Sequence, residues 1–404
     1  MADSDLGTVT RKVLADIAGA IRAQTGSAAR YTPPEMAEAI LSIQPGPKTY
    51  YGLLLEDGTL ELCYRAQAAS ALGTVSQAYE ADLGGYTLNG HAPWYERRGE
   101  IVRCVMDTSL RLAPITSAAF LLDGMNAMKS VEGFENLQHA GNFNYLFYNC
   151  KALVSVFATE FDTAKITSKD STFTGCNRLV GGHGKTRTAI EKNTDFSLGE
   201  AGLLTDPDAD QRRWIWCTVY EDGELVLSAT DATEASRPYL LHDQACANVT
   251  EASAGTHPWS DVRAKIKRAT ISPDIAGIDG ICPESWFSSH ASLASVTGMG
   301  YLRGVTSLSS VFSTCTSITE VDLRGLDSTK LKKASSTFYG CGKLQKILAS
   351  PDWVLPAGVT GYNTFLNCSA LVGGNGTTYS SSHNNYDYLR LDLPGSPGYL
   401  TASS

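Results

Sequence analysis

The sequence predicts an α/β solenoid made of two tandem copies of one module, with a β-rich cap on each copy and a helical hairpin ahead of them. Three observations support this prediction. The chain matches itself at one constant offset, each copy holds a shorter period that recurs several times, and residues 1–46 follow neither pattern. The predicted domains are therefore residues 1–46, 47–212 and 213–404.

The duplication extends through cap and repeats alike, without internal insertion or deletion. Residues 56–58 (Glu-Asp-Gly) coincide with 221–223, and residues 93–94 (Pro-Trp) coincide with 258–259. Phe173, Gly175 and Cys176 still coincide with Phe338, Gly340 and Cys341, far along the chain. One constant offset over this length indicates duplication of a whole module.

Within each copy the unit Phe-x-x-Cys-x-x-Leu/Ile recurs, and the second copy holds one unit more than the first. The units begin at Phe147, Phe173, Phe312, Phe338 and Phe365. Their period of about 26 lies in the range of leucine-rich repeats. Residues 318–323 have the apolar spacing of one short strand per coil, and the spacing of three to four between apolar residues in 305–312 predicts a helical turn on the other side.

The ten cysteines follow the repeat and do not suggest a disulfide framework. Cys150 and Cys176 are separated by one repeat period, as are Cys315 and Cys341, and Cys368 follows at the next repeat. We expect these periodic cysteines to be small buried residues at one level of each coil, with disulfide pairing as the alternative.

The segment before each set of repeats predicts a cap. Residues 50–62 and 215–227 each read as two apolar strands around an Asp-Gly turn, which is typical of a β-hairpin. A glycine-rich segment lies at the end of each copy, and we expect it to form the opposite cap. Residues 207–213 form a short polar linker between the copies.

The N-terminal segment has helical periodicity. Apolar residues from Val9 to Ile21 lie on one face, and residues 32–35 (Thr-Pro-Pro-Glu) resemble a capping box that starts a second amphipathic helix. Two short helices bury little by themselves. We expect this hairpin to dock on another protein or self-associate; packing on its own first module is the alternative.

Charge and hydrophobicity exclude several classes. The 42 acidic side chains outnumber the 33 basic ones, giving a net charge near −9, so nucleic-acid binding is not expected. No segment is apolar over the length that a membrane-spanning helix needs, and the acidic start lacks signal-peptide features. Membrane insertion is therefore not expected, and export would need lysis or a larger particle.

No motif points to catalysis or to a cofactor. Residues 181–186 (Gly-Gly-His-Gly-Lys-Thr) share the composition of part of a phosphate loop, but position 179 is leucine and the matching residues 373–378 lack lysine, so a glycine-rich cap loop is expected. His91 and His257 lie at different offsets from the repeated tryptophan, which disfavours a metal site. Asp162 and Asp327 are expected to cap turns. The chain is predicted not to be an enzyme and to bind no cofactor.

The repeats resemble the BspA-type leucine-rich repeats, also called surface-protein 26-residue repeats. The resemblance rests on residues 161–163 (Phe-Asp-Thr) and 326–328 (Leu-Asp-Ser), each followed by Phe-x-Gly-Cys-x-x-Leu. The family usually has methionine before that phenylalanine, where this chain has Thr172 and Thr337. The resemblance covers roughly residues 116–205 and 281–404 and implies a role in adhesion at a bacterial surface.

A second resemblance concerns residues 17–40, which look like an element at the start of many phage and prophage tail-associated proteins. It implies a virion tail protein whose N-terminal helices bind other tail proteins. By the same resemblance the protein would form a homo-oligomer such as a trimer. The virion tail is then the expected location, with the bacterial cell surface as the alternative.

Together these observations predict a tail-fibre or receptor-binding protein that recognises a host cell-surface protein or glycan. A bacterial surface or secreted adhesin is the first alternative, and a glycan-degrading tail depolymerase is the second. The extra repeat favours the second copy as the distal binding end. Its exposed strand positions are the candidate binding residues, namely Thr319, Glu320, Asp322, Arg324, Gln345 and Lys346.

Overall fold

A computed structural model describes residues 48–81, 85–186, 196–198, 202–231, 233–234, 236–249, 252 and 255–404. The helical hairpin predicted in residues 1–46 lies outside them. Within the described ranges the chain consists mostly of strands and turns, and every helical segment there is a 3-10 helix. These segments are Tyr95–Arg97, Thr108–Leu112, Phe134–Leu137, Thr163–Lys165, Pro258–Lys265, Pro273–Gly277, Met299–Tyr301 and Tyr386–Tyr388.

The described residues divide into two compact units. The first takes residues up to 177 together with those between 196 and 209, and the second takes 178–186 together with those from 210 onward. The glycine-rich loop that closes the first set of repeats thus groups with the second unit. Val180 of this loop packs with Cys246 and Val249.

The first unit contains one six-stranded sheet in the order β3-β1-β2-β4-β5-β6. The predicted hairpin is confirmed, because β1 and β2 pair antiparallel around Gly58. From β2 onward the strands pair in parallel. The strands are β1 (Thr49–Leu55), β2 (Thr59–Arg65), β3 (Val75–Glu80), β4 (Arg103–Met106), β5 (Ser130–Glu132) and β6 (Ser155–Val156).

The second unit repeats this arrangement in a sheet of order β11-β10-β8-β7-β9 and adds a parallel sheet of order β12-β13-β14. The hairpin of β7 and β8 around Gly223 is also confirmed. The strands are β7 (Trp214–Tyr220), β8 (Glu224–Ser228), β9 (Tyr239–Cys246), β10 (Arg268–Ile271), β11 (Ser295–Thr297), β12 (Glu320–Asp322), β13 (Lys346–Ala349) and β14 (Leu400–Ala402).

Glycine is required at both hairpin turns. Gly58 and Gly223 have φ of +83° and +91°, a left-handed conformation that other residues adopt at a cost. A Cβ at Gly58 would lie 2.6 Å from the carbonyl oxygen of Glu100, and one at Gly223 would lie 2.7 Å from that of Lys265. Each turn is therefore in close contact with the chain that leads into the next strand.

The helical turn predicted ahead of each strand is wrong. Residues 305–312 form a bridge and turns, and Ser310 is left-handed with φ of +55°. Such a residue interrupts a right-handed helix. Left-handed residues occur in pairs four positions apart, three pairs in the first unit and four in the second among the described residues. These pairs are 120/124, 145/149, 171/175, 285/289, 310/314, 336/340 and 363/367.

Between the two left-handed residues of each pair, neighbouring repeats bond to one another through their backbones. The amide of Phe312 donates to the carbonyl of Thr337 at 2.8 Å, and the amide of Phe338 donates to that of Thr364 at 2.8 Å. Parallel bridges link Ser307 to Lys333 and Lys333 to Thr360. Each repeat thus contacts the next through a bonded backbone segment as well as through its strand.

Buried phenylalanines form a continuous row through the repeats. The rings of Phe287, Phe312, Phe338 and Phe365 follow one another at centroid distances of 5.6 Å with planes within 20° of parallel. The first unit has the same contact between Phe147 and Phe173 at 5.5 Å. These rings are fully buried and lie at the centre of the core.

The periodic cysteines lie beside this row, and no disulfide joins any of the ten cysteines, all of which fall in the described residues. Each periodic thiol donates a hydrogen bond to a backbone carbonyl of the preceding repeat. The Sγ of Cys341, for example, lies 3.0 Å from the carbonyl oxygen of Phe312. The other four bonds run from Cys150 to Leu122, Cys176 to Phe147, Cys315 to Phe287 and Cys368 to Phe338.

A buried threonine precedes the phenylalanine in several repeats, and the backbone accepts the hydrogen bond of its hydroxyl. The Thr172 hydroxyl bonds to the carbonyls of Phe143 and Lys169, at 2.9 and 2.8 Å. Thr337 has the corresponding bond to Ala334 at 3.0 Å. A buried hydroxyl with such a partner avoids the cost of an unsatisfied polar group.

Both copies close in the same way, with the final chain segment added in parallel to the last repeat strand. Thr205 forms a parallel bridge with Phe157, directly after β6. β14 pairs in parallel with β13, joining Leu400 to Ile347. The last residues of each copy thus pair in parallel with the chain at its last repeat strand, and in the second copy Leu391 pairs in turn with Leu400.

Candidate binding groove

A groove of about 620 Å³ lies in the second unit, at the carboxyl ends of β10, β11 and β12. We call it the strand-end groove. Short turns and the helices Pro273–Gly277 and Met299–Tyr301 follow these strands and form its walls. Its polar and aromatic lining residues are Thr270, Thr297, Tyr301, Arg303, Asp322, Arg324 and Ser404.

The alternation of each strand places these residues outward. The second residue of each strand is buried in the core: Ala269 in β10, Val296 in β11 and Val321 in β12. The residue after it therefore points to the other face, which puts Thr270, Thr297 and Asp322 at one repeat position. Thr270 and Thr297 are direct register partners across β10 and β11.

Arg324 is fixed in the groove by two contacts. Its Nε and Nη2 donate to the two carboxylate oxygens of Asp322 at 3.0 and 2.8 Å, and its Nη1 donates to the backbone oxygen of Ser404 at 2.9 Å. The guanidinium holds the pKa of the Asp322 carboxyl below its usual range. The pair is therefore ionised and locally neutral at pH 7.

Arg303 is held differently, by backbone carbonyls. Its Nη1 donates to Gly300 at 2.7 Å and more weakly to Gly325 at 3.4 Å. Carbonyl oxygens carry no net charge. These contacts therefore position the arginine without neutralising it. Its charge also acts on Asp327, whose carboxyl pKa is lowered first by hydrogen bonds from Thr329 and further by the charges of Lys330 and Arg303.

An ion-pair network borders the groove on the outward face of β8 and β10. Arg237 and Arg268 both contact Asp222 and Glu224, at 2.7 to 3.0 Å. Hydrogen bonds from Arg268 lower the pKa of Asp222. The Thr270 hydroxyl donates to Glu224 at 2.9 Å, which leaves its oxygen able to accept a bond from a ligand.

The structure divides the six predicted binding residues into two groups. Asp322 and Arg324 line the strand-end groove. Glu320 and Lys346 are exposed register partners at the other end of β12 and β13. Thr319 and Gln345 precede these strands, where the Thr319 carbonyl accepts the Gln345 amide hydrogen at 2.8 Å, and they stand outside the groove.

Four groove residues were not predicted from the sequence: Thr270, Thr297, Tyr301 and Arg303. The repeat itself carries a signal for two of them, because Thr270 and Thr297 occupy the same repeat position as Asp322 in the two preceding strands. Tyr301 and Arg303 lie in a turn that differs between repeats. No periodic pattern marks them.

The first unit has a counterpart at the duplicated position, a groove of about 410 Å³. At the offset that relates the two copies, its Gly133 matches Gly298, and both glycines are left-handed with close contacts to a backbone carbonyl. The chemistry differs, because the counterpart is lined by Glu132, Glu135 and Phe157. Gln138 and Thr159 occupy the positions of Arg303 and Arg324.

The glycine-rich loops are turns, as predicted. In the first copy the amide of Gly181 donates to the carbonyl of Lys185 at 2.8 Å, and in the second Gly373 donates to Thr377 at the same distance. The Asp392 carboxylate accepts the amide hydrogens of Asn375 and Thr377, at 2.7 and 3.0 Å. In this second loop a carboxylate of the protein therefore takes the amides that a phosphate would need.

The two repeated aspartates cap turns, as predicted. The Asp162 and Asp327 side chains each accept a backbone amide hydrogen two residues on, at 3.0 and 2.9 Å. Across the ranges given above, no three His, Cys, Asp or Glu side chains are grouped to hold a metal ion. No helix in those ranges has the length and hydrophobicity to cross a membrane.

No protein-family model matches this chain, and no curated protein matches it in sequence. Among solved structures, it is similar to a leucine-rich cell surface protein from Faecalibacterium prausnitzii (12% identity, 85% of this chain and 93% of that one, TM-score 0.22). It is also similar to leucine-rich repeat proteins from Bacteroides ovatus (12%, 81% and 93%, TM-score 0.22) and Eubacterium ventriosum (13%, 84% and 97%, TM-score 0.19).

Proposed function

We propose that this chain is a non-catalytic binding protein of the bacterial cell surface that recognises a glycan in the strand-end groove. The single observation that carries the proposal is the groove itself, where Thr270, Thr297 and Asp322 project from successive repeats beside the turn that holds Tyr301. Stacked repeats are often used as binding surfaces because each repeat contributes one position to a shared face.

The size and lining of the groove support a small polar ligand. Its volume lies within the roughly 300 to 1,000 Å³ typical of small-molecule sites. Hydroxyl groups, glycine backbone and one tyrosine ring suit a sugar, which presents many hydroxyls and an apolar ring face. On this proposal each module is a short solenoid of the leucine-rich-repeat type that supports the groove.

The test is glycan-array binding by the intact chain and two matched variants. Thr297→Trp places a large side chain at an exposed position in the groove, and Ser295→Trp places the same side chain at the other exposed position of β11, outside it. We expect Thr297→Trp to abolish binding and Ser295→Trp to retain it. Equal binding by both variants, or no bound glycan for the unmodified chain, would overturn the proposal.

The cellular setting is tested separately. The resemblance of the repeats to BspA-type proteins supports the bacterial surface, so antibody against the second unit should label intact producing cells. The alternative is a virion tail adhesin attached through residues 1–46, whose resemblance to tail proteins falls outside the described residues. Under that alternative, deletion of residues 1–46 abolishes particle incorporation and leaves both units folded; under our proposal no particle carries the chain.

A further inference from the structure

Resting on the proposed function, we infer that the strand-end groove selects glycans that carry a carboxylate, and that Arg303 determines this selectivity. The counterpart groove of the first unit excludes the same ligands. The duplicated site has therefore diverged in charge, and one molecule binds one acidic glycan.

The charges of the groove lead to Arg303. Arg324 uses Nε and Nη2 on the Asp322 carboxylate and Nη1 on the backbone oxygen of Ser404, so its guanidinium is already bound by acceptors of the protein. Arg303 bonds to neutral carbonyls through Nη1 alone. Because a guanidinium has five donor hydrogens, the donors on Nε and Nη2 of Arg303 remain for a ligand.

The ligand that suits those donors is an anion with two oxygens. A carboxylate accepts two parallel hydrogen bonds from the Nε and Nη2 edge of a guanidinium, with both distance and direction matched. The oxygens of Thr270 and Thr297 and the ring of Tyr301 line the same cavity and suit the remainder of a sugar. A uronic or sialic acid combines the two chemical features.

The first unit shows the opposite selection at the same place. Gln138 and Thr159 replace the two arginines, and Glu132 and Glu135 line the counterpart groove. The lining of that groove contains no arginine, and Glu132 is paired with Arg103 at 3.4 Å. A carboxylate ligand there would meet the carboxylate of Glu135 without a guanidinium to bind it, which disfavours its binding. The duplicated groove thus supplies an internal comparison within one chain.

The test uses an array of uronic- and sialic-acid glycans beside the same glycans after reduction of their carboxyl groups. We expect the intact chain to bind the acidic set with a stoichiometry of one, and to bind the reduced set at least about tenfold more weakly, with affinity falling as salt rises. Arg303→Gln should lose about tenfold or more for acidic glycans. Arg303→Lys should recover part of that loss, because it restores the charge without the paired geometry.

The control is Lys330→Gln, which removes an exposed charge of the same unit outside the groove and should leave binding unchanged. Thermal unfolding of each variant establishes that it is folded. If the chain binds acidic and reduced glycans equally, and Thr297→Trp still abolishes this binding, the inference is overturned and the proposed function stands. Binding of an acidic peptide and of no glycan would overturn both proposals. A stoichiometry of two would overturn this inference alone.

Discussion

The thiol of Cys341 donates a hydrogen bond to the backbone carbonyl of Phe312, 3.0 Å away in the preceding repeat. The same bond recurs at every periodic cysteine described above. It explains why cysteine recurs at this position, because the side chain is both small enough for a close contact between repeats and able to donate. A disulfide would consume the donor.

Replacing Cys341 with alanine should therefore lower the free energy of unfolding by about 1 to 2 kcal/mol, from the lost bond and the small cavity. Urea unfolding of the intact chain measures the change. The matched control is Cys282→Ala, since Cys282 is buried but lies outside the periodic set. A loss for Cys282→Ala as large as that for Cys341→Ala would contradict a specific role for the thiol bond.

Thermodynamic stability should also depend on pH through two buried histidines of the second unit. Burial lowers the pKa of His257 and of His290 to about 4. In the unfolded chain both rings titrate near pH 6.5, so between pH 6.5 and 4 the unfolded state takes up protons that the folded state refuses. Stability is fully present above pH 7 and falls as the pH drops through this window, by about 3 kcal/mol per ring.

The variant that tests this is His290→Met, because the first copy has Met125 at the corresponding position. Urea unfolding from pH 7.5 to 4.5 should show a shallower decline for this variant than for the unmodified chain. His383→Gln, at a half-buried site elsewhere in the unit, is the control and should keep the original slope. Identical slopes for all three proteins would refute the assignment to His290.

The carboxylate of Asp392 should stabilise the closing loop of the second unit. Asp392→Ala leaves the amide hydrogens of Asn375 and Thr377 without their acceptor, at an expected cost of about 1 to 3 kcal/mol. Limited proteolysis within residues 373–377, together with urea unfolding, would detect the change. Asp387→Ala removes an exposed acid nearby and serves as the control; equal effects would argue against the capping role.

The left-handed backbone of Ser336 predicts an unusual response to glycine. Glycine at most positions destabilises because it gives the unfolded chain more freedom, by about 0.4 to 1 kcal/mol. At Ser336, with φ of +54°, glycine also removes a backbone penalty of about 1 kcal/mol or more. Ser336→Gly should therefore be more stable than Ser335→Gly by about 1 kcal/mol, as measured by thermal unfolding. The reverse order of stability would show that the left-handed conformation of Ser336 carries no penalty.

The sequence predicted those parts of the fold that the duplication repeats. The hairpins around Gly58 and Gly223, the extra repeat and the buried periodic cysteines all leave regular patterns. The third strands, β3 and β9, were missed, since they lie at sheet edges and are largely exposed, so they carry little apolar alternation. The predicted helical turn failed because left-handed residues such as Ser310 produce the same apolar spacing without a helix.

The candidate site was only partly predictable for a related reason. Asp322 and Arg324 were found because they flank a strand that could be recognised from its spacing. Arg303 lies in a turn whose length and conformation vary between repeats, and it reaches the groove only because of the three-dimensional arrangement. Contacts made by such turns have no sequence period.

The terminal strand of each copy has a consequence for how these modules can change in length. Thr205 and β14 attach by the same parallel pairing to the last repeat strand, although the stacks beneath them differ by one repeat. The closing contact is therefore a backbone pairing with the last repeat strand, and it does not depend on which repeat comes last. A module could therefore gain or lose a whole repeat and still form the same backbone pairing at its end, so its length can change while this closing contact is kept.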